Sequence, residues 1–197
     1  MGRPSVRHLV VAAAVDRFHD QGFDACSVQD ITDAAGVPKG SFSNHFKTKL
    51  ALAIEALGTY QQDAGFDLLF EGKRTPIERI RDHLEYMASL QRRSKFSRGC
   101  IIGNFAAEMA NDRPEMRKAV ATALEDWSQA IATVLRQAQQ IGEIDLHSDS
   151  TRLARYTING WQGSVLRMKV VRSRAPLDDF FDVTFGLILK SPNRTSR

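Results

Sequence analysis

Three features of this 197-residue chain predict an all-α fold. Apolar residues recur every three or four positions along most of the sequence, and no run alternates apolar with polar as a half-buried strand does. Cap and turn signals, such as Gly36–Val37–Pro38 and Thr75–Pro76 followed by Glu78, punctuate those stripes at helical lengths. The chain has six prolines, and 43% of its residues are hydrophobic, enough to fill a core in one large domain or two small ones.

Composition narrows the function classes. Cys26 and Cys100 have no metal-ligand spacing and build no disulfide framework, so no metal or cofactor is expected and the chain reads as cytoplasmic. Leu9–Val15 is apolar but too short for a signal peptide, and Asp16 and Arg17 close it with charge. No segment reaches the roughly 18 apolar residues of a membrane span, so no membrane partner is expected. The net charge of +4 fits an anionic partner only loosely. Across residues 1–47 five Lys or Arg are matched by five Asp. Any nucleic-acid interface there must come from local placement, with Arg3, Arg7, Lys39, Lys47 and Lys49 available on one side.

Gly2–Ser5 is a basic arm, of the kind that lies in a minor groove or else stays idle. The first predicted helix runs from about Ser5 to Gln21 with Val10, Ala14 and Phe18 on its inner face, and Gly22 stops it. Phe23 and Cys26 fill the space before the second helix, Cys26 as a small buried hydrophobe. Ser27 opens the second helix, with Asp30 three residues on as in a capping box, although Asp replaces the usual Glu or Gln. Val28, Ile31, Ala34 and Ala35 supply its apolar face. Gly36 ends it because a glycine takes the left-handed conformation a sharp turn needs. Val37 packs inward, and Pro38 sits where a helix's first N–H has no partner anyway. The third helix, Pro38 to about Phe46, anchors on Phe42 and Phe46 and leaves Lys39, Gly40, Ser41, Ser43, Asn44 and His45 short, polar and rich in donors. Such a face suits a groove lined by phosphates and base edges; it also fits a solvated helix of an ordinary α-domain.

Arg7–Phe18, Gly22–Phe23, Ser27–Ile31, Ala34–Ala35–Gly36–Val37, Gly40, Phe42, His45–Phe46 and Lys49 occur in an order that resembles the amino-terminal DNA-binding domain of the TetR (tetracycline-repressor) transcriptional regulators. The resemblance implies a nine-helix architecture: a helix-turn-helix head over residues 1–47 and a helical effector-binding and dimerisation domain over residues 48–197. It also implies a homodimer on a palindromic double-stranded operator, a small-molecule effector and, most often in the family, repression. The candidate DNA-binding residues are Arg3, Arg7, Ser27, Lys39, Gly40, Ser41, Ser43, Asn44, His45, Lys47 and Lys49. Ser43 departs from the pattern. The family usually has a tyrosine there that reaches a DNA phosphate, and a serine makes such a bond only at closer range.

From Lys47–Thr48 a fourth helix is expected to run to around Phe70, ending in Phe66, Leu68, Leu69 and Phe70, a lever between the two halves. The fifth, opening at Thr75–Pro76, carries Ile77, Ile80, Leu84, Met87 and Leu90 on one stripe, and Gln91–Arg98 follows as a basic loop. The Gly99–Cys100 pair resembles the start of the sixth helix in one subset of the family. The seventh, Pro114 to about Gln140, repeats Val120, Leu124, Trp127, Ile131, Leu135 and Ala138 at helical spacing. After a loop at Ile141–Ser148, the eighth helix, about Asp149 to Val171, has a flat face of Thr157, Gly160, Gly163 and Ser164 and a bulky one of Ile158, Trp161, Val165 and Met168. The ninth carries Phe180, Phe181, Phe185, Leu187 and Ile188, more apolar surface than one inward stripe needs. That excess predicts a homodimer through the eighth and ninth helices; complete burial within a monomer is the alternative.

Two recognition helices related by a two-fold axis read a palindrome only if their spacing matches one turn of DNA, about 34–36 Å. A ligand among the fourth to eighth helices that tilts the fourth would change that spacing and couple binding to release. Candidate ligand-binding residues are Phe66, Tyr86, Met87, Leu90, Cys100, Asn104, Phe105, Trp127 and Trp161. Cys100 has two readings. Gly99 places it at a helix N-terminus after Lys95 and Arg98, which favours a reactive thiol sensing electrophiles; alternatively it is an inert packed thiol. An enzyme would need a convergent site, yet His8, His19, His45, His83 and His147 are scattered, no nucleophile motif appears, and Asp82–His83–Glu85 reads as a solvated helix face. The expectation is a ligand- or electrophile-responsive DNA-binding regulator, with a ligand-independent DNA-binding or adaptor protein as alternative and a helical enzyme behind both.

Overall fold

The computed structural model describes residues 6–190, so the Gly2–Ser5 arm, with Arg3, lies outside the described residues. In chain order the helices are α1 (Arg7–Gln21), α2 (Val28–Ala34), α3 (Gly40–Ser43), α4 (Lys49–Gln62), α5 (Asp67–Phe70), α6 (Pro76–Arg93), α7 (Ile101–Met109), α8 (Pro114–Gln140), α9 (Ser150–Val171) and α10 (Ala175–Val183), the last continued by a π-helical turn over Thr184–Ile188. No strand occurs among the described residues. The nine expected helices are present, and α5 is an extra single turn. It arises because the expected fourth helix does not run unbroken to Phe70. It stops at Gln62, and Gly65 turns the chain at φ +70°. A Cβ at Gly65 would stand 2.7 Å from the Tyr86 ring, so only glycine fits this reversal.

The chain forms two compact units. Residues through Asp63 join Cys100–Ala123, and Ala64–Gly99 joins the residues from Leu124 on, so α8 contributes its first turns to one unit and the rest to the other.

In the first unit Val10, Val11, Ala14 and Phe18 of α1 are buried with Leu52, Ala53, Ala56 and Leu57 of α4 and Phe105 of α7. Phe18 meets Phe105 edge-on at 5.9 Å and Phe23 at 5.6 Å. The capping box at Ser27 is complete despite the shorter Asp: the Asp30 N–H donates to Ser27 Oγ at 3.1 Å and the Ser27 N–H donates to Asp30 Oδ2 at 2.8 Å. The Ser27 hydroxyl, which donates to Asp30 Oδ2 at 2.6 Å, and the Ser27 N–H together hold the Asp30 carboxyl below the usual carboxylate range. Past α2, Gly36 adopts φ +67°, its N–H donates to the Asp33 carbonyl, and the Val37 N–H donates to the Thr32 carbonyl at 3.0 Å. That is the two-bond Schellman closure, and it orients α3. The regular part of α3 is shorter than the Pro38–Phe46 helix expected. Its ends continue as tighter turns, Ser41 N–H to the Pro38 carbonyl and His45 N–H to the Phe42 carbonyl.

The second unit is built on bulk. Ile80, Leu84 and Met87 of α6, Ile131 and Leu135 of α8, and Ile158, Trp161, Val165 and Met168 of α9 are buried. Thr75 and Glu78 form the capping box of α6, and Asp149 caps α9 by accepting from Thr151 and Arg152 N–H. The apolar excess of the last helix is partly absorbed within the chain. Phe180 and Phe181 are buried against Trp161 at 5.7 and 6.3 Å, whereas Leu187 is 76% exposed.

Candidate functional site

The segment from Lys39 to Lys47 stands on two rings. Phe42 and Phe46 are buried and stacked at 5.9 Å, and the residues between and beside them turn outward. Lys39, Gly40, Ser43, Asn44 and Lys47 are exposed, and Ser41 and His45 are half-buried. The result is a face of short donors and acceptors on an apolar footing, with cations at both ends, which matches what phosphates and base edges require.

Other sequence-predicted contacts of this region have partners inside the chain. The Arg7 guanidinium pairs with both carboxylate oxygens of Glu55 on α4 and lies 5.0 Å from the Phe46 ring centroid. Arg7 therefore ties α1 to α4 and to the base of the Lys39–Lys47 segment while remaining half-exposed. Ser27 is spent on its cap. Lys49 turns inward: its ammonium donates to the Phe23 and Cys26 carbonyls, each at 2.8 Å, and lies 4.3 Å from the Phe23 ring centroid. Its charge thus braces the loop before α2 instead of extending the exposed face. Burial pushes the Cys26 thiol above its ordinary pKa, as suits a small packing residue.

The predicted ligand residues divide between the units. Phe66, Tyr86, Met87, Leu90, Trp127 and Trp161 belong to the second, and Cys100, Asn104 and Phe105 to the first. In the second unit Phe66 and Trp127 converge on His83, with ring centroids 5.3 and 5.8 Å from the imidazole. The Trp127 indole N–H donates to His83 Nε2 at 3.0 Å, so Nδ1 carries the proton and donates to the Gly65 carbonyl at 3.0 Å. Burial drives the His83 pKa down to about 4, which keeps the ring neutral. The expectation of a solvated face at Asp82–His83–Glu85 is corrected at His83, which is fully buried. Trp161 is also fully buried, and its indole N–H has no hydrogen-bond partner among the described residues. In the first unit Phe105 is core, and Cys100 is 3% exposed, with the Tyr60 hydroxyl 3.9 Å from its sulfur. Among the described residues no group of His, Cys, Asp and Glu is placed to hold a metal ion, and no helix is long and apolar enough to cross a membrane.

Comparison with known proteins gives this arrangement its context. Residues 10–56 match the family described as bacterial regulatory proteins, tetR family, and residues 76–183 match the tetracyclin repressor-like C-terminal domain. The chain is 33% identical over 199 aligned residues to the HTH-type transcriptional repressor DhaR of Mycobacterium sp. (strain GP1), covering 100% of this chain and 98% of that protein. The chain belongs to the TetR family. This TetR-family regulator is also 34% identical over 181 residues to the transcriptional regulator AcuR of Cereibacter sphaeroides, covering 90% of this chain and 82% of that one. Its fold matches the crystal structure of a regulatory protein TetR from Rhodobacter sphaeroides with a TM-score of 0.85 at 28% identity, over 91% of this chain and 96% of that chain. Members of the family bind DNA and act as dimers with small-molecule effectors. Residues 10–56, which contain α2, the Gly36 turn and α3, are accordingly the helix-turn-helix region of a DNA-binding transcriptional regulator.

Sequence reasoning passed over three residues of this TetR-family regulator that the structure makes prominent. His83 lies three residues after Ile80 and four before Met87, so the α6 stripe already included it; its acidic neighbours hid the signal. Glu55 and Glu108, whose carboxylates hold the head together, carry no sequence signal, because their partners are remote in the chain.

Proposed function

We propose that the protein is a repressor that sits as a homodimer on a palindromic operator and is released by a small-molecule effector. The observation that carries this reading is the Lys39–Lys47 face: donors of the right size, exposed, on a footing that buries Phe42 and Phe46. Lys39, Gly40, Ser41, Ser43, Asn44, His45 and Lys47 make the base and phosphate contacts in this reading, and Arg7 flanks them. Residues 1–47 serve as the reading head, and residues 48–197 as the effector-binding and dimerisation part. Dimerisation through α9 and α10 is supported by large apolar side chains left in water: Leu166 at 64%, Val170 at 76% and Leu187 at 76% exposure. Because its partner in this reading is DNA, the protein works in the cytoplasm.

The effector is a small molecule held without a covalent bond. Its candidate contacts in the second unit are Phe66, Tyr86, Met87, Leu90, Trp127 and Trp161. Burial of Cys100 favours this route over attack by an electrophile, because a reagent must reach a sulfur that is 3% exposed. If Cys100→Ser abolished derepression by electrophiles while leaving operator affinity intact, the covalent route would replace it.

Selecting DNA from a random pool with the purified protein tests the reading. The recovered fragments should share a palindrome. Asn44→Ala should relax the preference at one position in each half-site, weakening binding by about 1–3 kcal/mol, and Lys39→Ala should reduce the salt dependence by about one ion per half-site. Unchanged affinity and unchanged sequence preference in both variants would remove the reading face from this segment.

A further inference from the structure

The loop Gly22–Cys26 joins α1 to the Ser27 cap of α2, and its backbone is gripped by charges from two other helices. From α7, the Glu108 carboxylate accepts the Phe23 N–H at Oε2, 2.8 Å away, and the Asp24 N–H at Oε1, 2.7 Å away. From α4, the Lys49 ammonium donates to the carbonyls of Phe23 and Cys26. The Phe23 residue therefore has its N–H on an anion and its carbonyl on a cation. Gly22, at φ +85°, makes room for the anion, since a Cβ there would lie 3.0 Å from a Glu108 oxygen. Arg113, just beyond α7, completes the grip. It pairs with Asp24 at 2.6 Å, and its guanidinium lies 4.9 Å from the Phe23 ring centroid.

Charge-assisted bonds of this kind are short and direction-specific, so the loop follows the groups that hold it. The loop in turn sets where Ser27 begins α2, and the Schellman turn at Gly36 passes that placement to α3. Periodicity gives no reason for a carboxylate at position 108, because Glu108 is half-buried on a nine-residue helix and spends both oxygens on a loop from another part of the chain.

We infer that Glu108 is a positioning residue for DNA reading: with Lys49 as the opposing jaw it fixes the Gly22–Cys26 loop, and so operator affinity depends on α7 through contacts made inside the first unit. The inference rests on the proposal that the Pro38–Phe46 segment reads DNA. It also assigns Lys49 to this clamp in place of a phosphate.

The test uses the full-length protein and a DNA duplex selected by it from a random pool. Glu108→Gln keeps the shape, loses the charge and sets an NH₂ group against a backbone donor. It should raise Kd about tenfold, leaving the selected sequence and the slope of log K against log salt as in the wild type. Lys49→Met should show the same signature, and the double variant should lose less than the product of the two single losses, because both act on one loop. Lys39→Ala, by contrast, should lower the salt slope of the dimer by about two, roughly one for each half-site. Folding of each variant is checked by circular dichroism at the assay temperature. Should Glu108→Gln lower only the melting temperature and bind with the wild-type Kd, the residue is merely structural and the inference fails. A loss of about two in the salt slope of Lys49→Met, roughly one for each half-site, would put that lysine on a phosphate and dismantle the clamp.

Hydrogen exchange on the wild type gives a check that needs no variant. The amides of Phe23 and Asp24 should be at least about tenfold slower than unstructured rates, and exchange at unstructured rates would overturn the clamp. If Lys39→Ala and Asn44→Ala also bind as the wild type does, the reading segment itself is misassigned and the inference goes with it. If they weaken binding and Glu108→Gln does not, only the clamp is lost.

Discussion

The two helices of the helix-turn-helix, α2 and α3, are seven and four residues long, whereas α6 and α9 of the second unit run to 18 and 22 residues. Helices as short as the first pair do not hold themselves, since each turn costs conformational entropy before enough hydrogen bonds form. Besides the buried Ile31, Phe42 and Phe46, they rely on polar devices: the Ser27–Asp30 box, the Gly36 turn, the Arg7 guanidinium over the Phe46 ring, and the Glu108 and Lys49 bonds to one loop. The long helices bury continuous stripes, such as Ala154, Ile158, Trp161, Val165 and Met168 on α9, and volume does the holding. Direction matters for a surface that must match DNA, and directional bonds set it. A core needs only to be filled.

The sharpest way to break that contrast is to empty the second unit. Trp161→Ala should cost about 3–5 kcal/mol, because a fully buried indole leaves a cavity against Phe180 and Phe181. A loss below about 1 kcal/mol in urea denaturation would mean that volume is not what holds this unit.

Acid offers the next largest effect, on the buried His83–Trp127 pair inside that core. The His83 pKa is depressed from its ordinary 6.5 to about 4, so the folded state binds fewer protons than the unfolded chain between those values. Stability is therefore whole above about pH 6.5 and erodes as pH falls through that value. The loss is complete below about pH 4, with a total on the order of 3 kcal/mol. Denaturation of the wild type and His83→Gln at pH 7 and pH 5 measures it, and an equal acid loss in both proteins would clear His83 of the effect.

Smaller changes test the head. Ser27→Ala removes the hydroxyl half of the capping box and should cost about 1 kcal/mol, read from the thermal melt. It should also weaken operator binding, because the start of α2 shifts; a melt unchanged from the wild type would show that the cap is dispensable. Smallest and opposite in sign, Gly58→Ala in α4 should stabilise by about 0.5–1 kcal/mol. A Cβ there meets nothing within 4 Å, and the substitution removes the entropy cost of a mid-helix glycine. A lower melting temperature would reveal a role for the bare backbone that packing does not show.

The head was legible from the sequence because its signals are local. Ser27 and Asp30, Gly36 and Pro38, and Phe42 and Phe46 each act within a turn of one another, and the structure carries the box, the Schellman turn and the stacked rings they announce. The long helices were legible for the same reason, since a stripe reports its own period. What escaped had a distant partner. Gly65 lies in a run of helical composition, and only the Tyr86 ring and the His83 imidazole, brought in by α6, explain why the fourth helix breaks there. Lys49 belongs to the sequence pattern of the head but is turned inward, onto carbonyls that no spacing rule points to.

By itself, then, the sequence determined the helical class, the helix-turn-helix, and the apolar surplus at the carboxyl end, because caps, turns and stripes are encoded over a few residues. Only the tertiary structure decided the break at Gly65, the neutral His83, the inward Lys49 and the grip of Glu108 on a loop of the head. Those depend on which remote side chains arrive at a given backbone group, and hydrogen bonds and burial select that arrival only once the helices have packed.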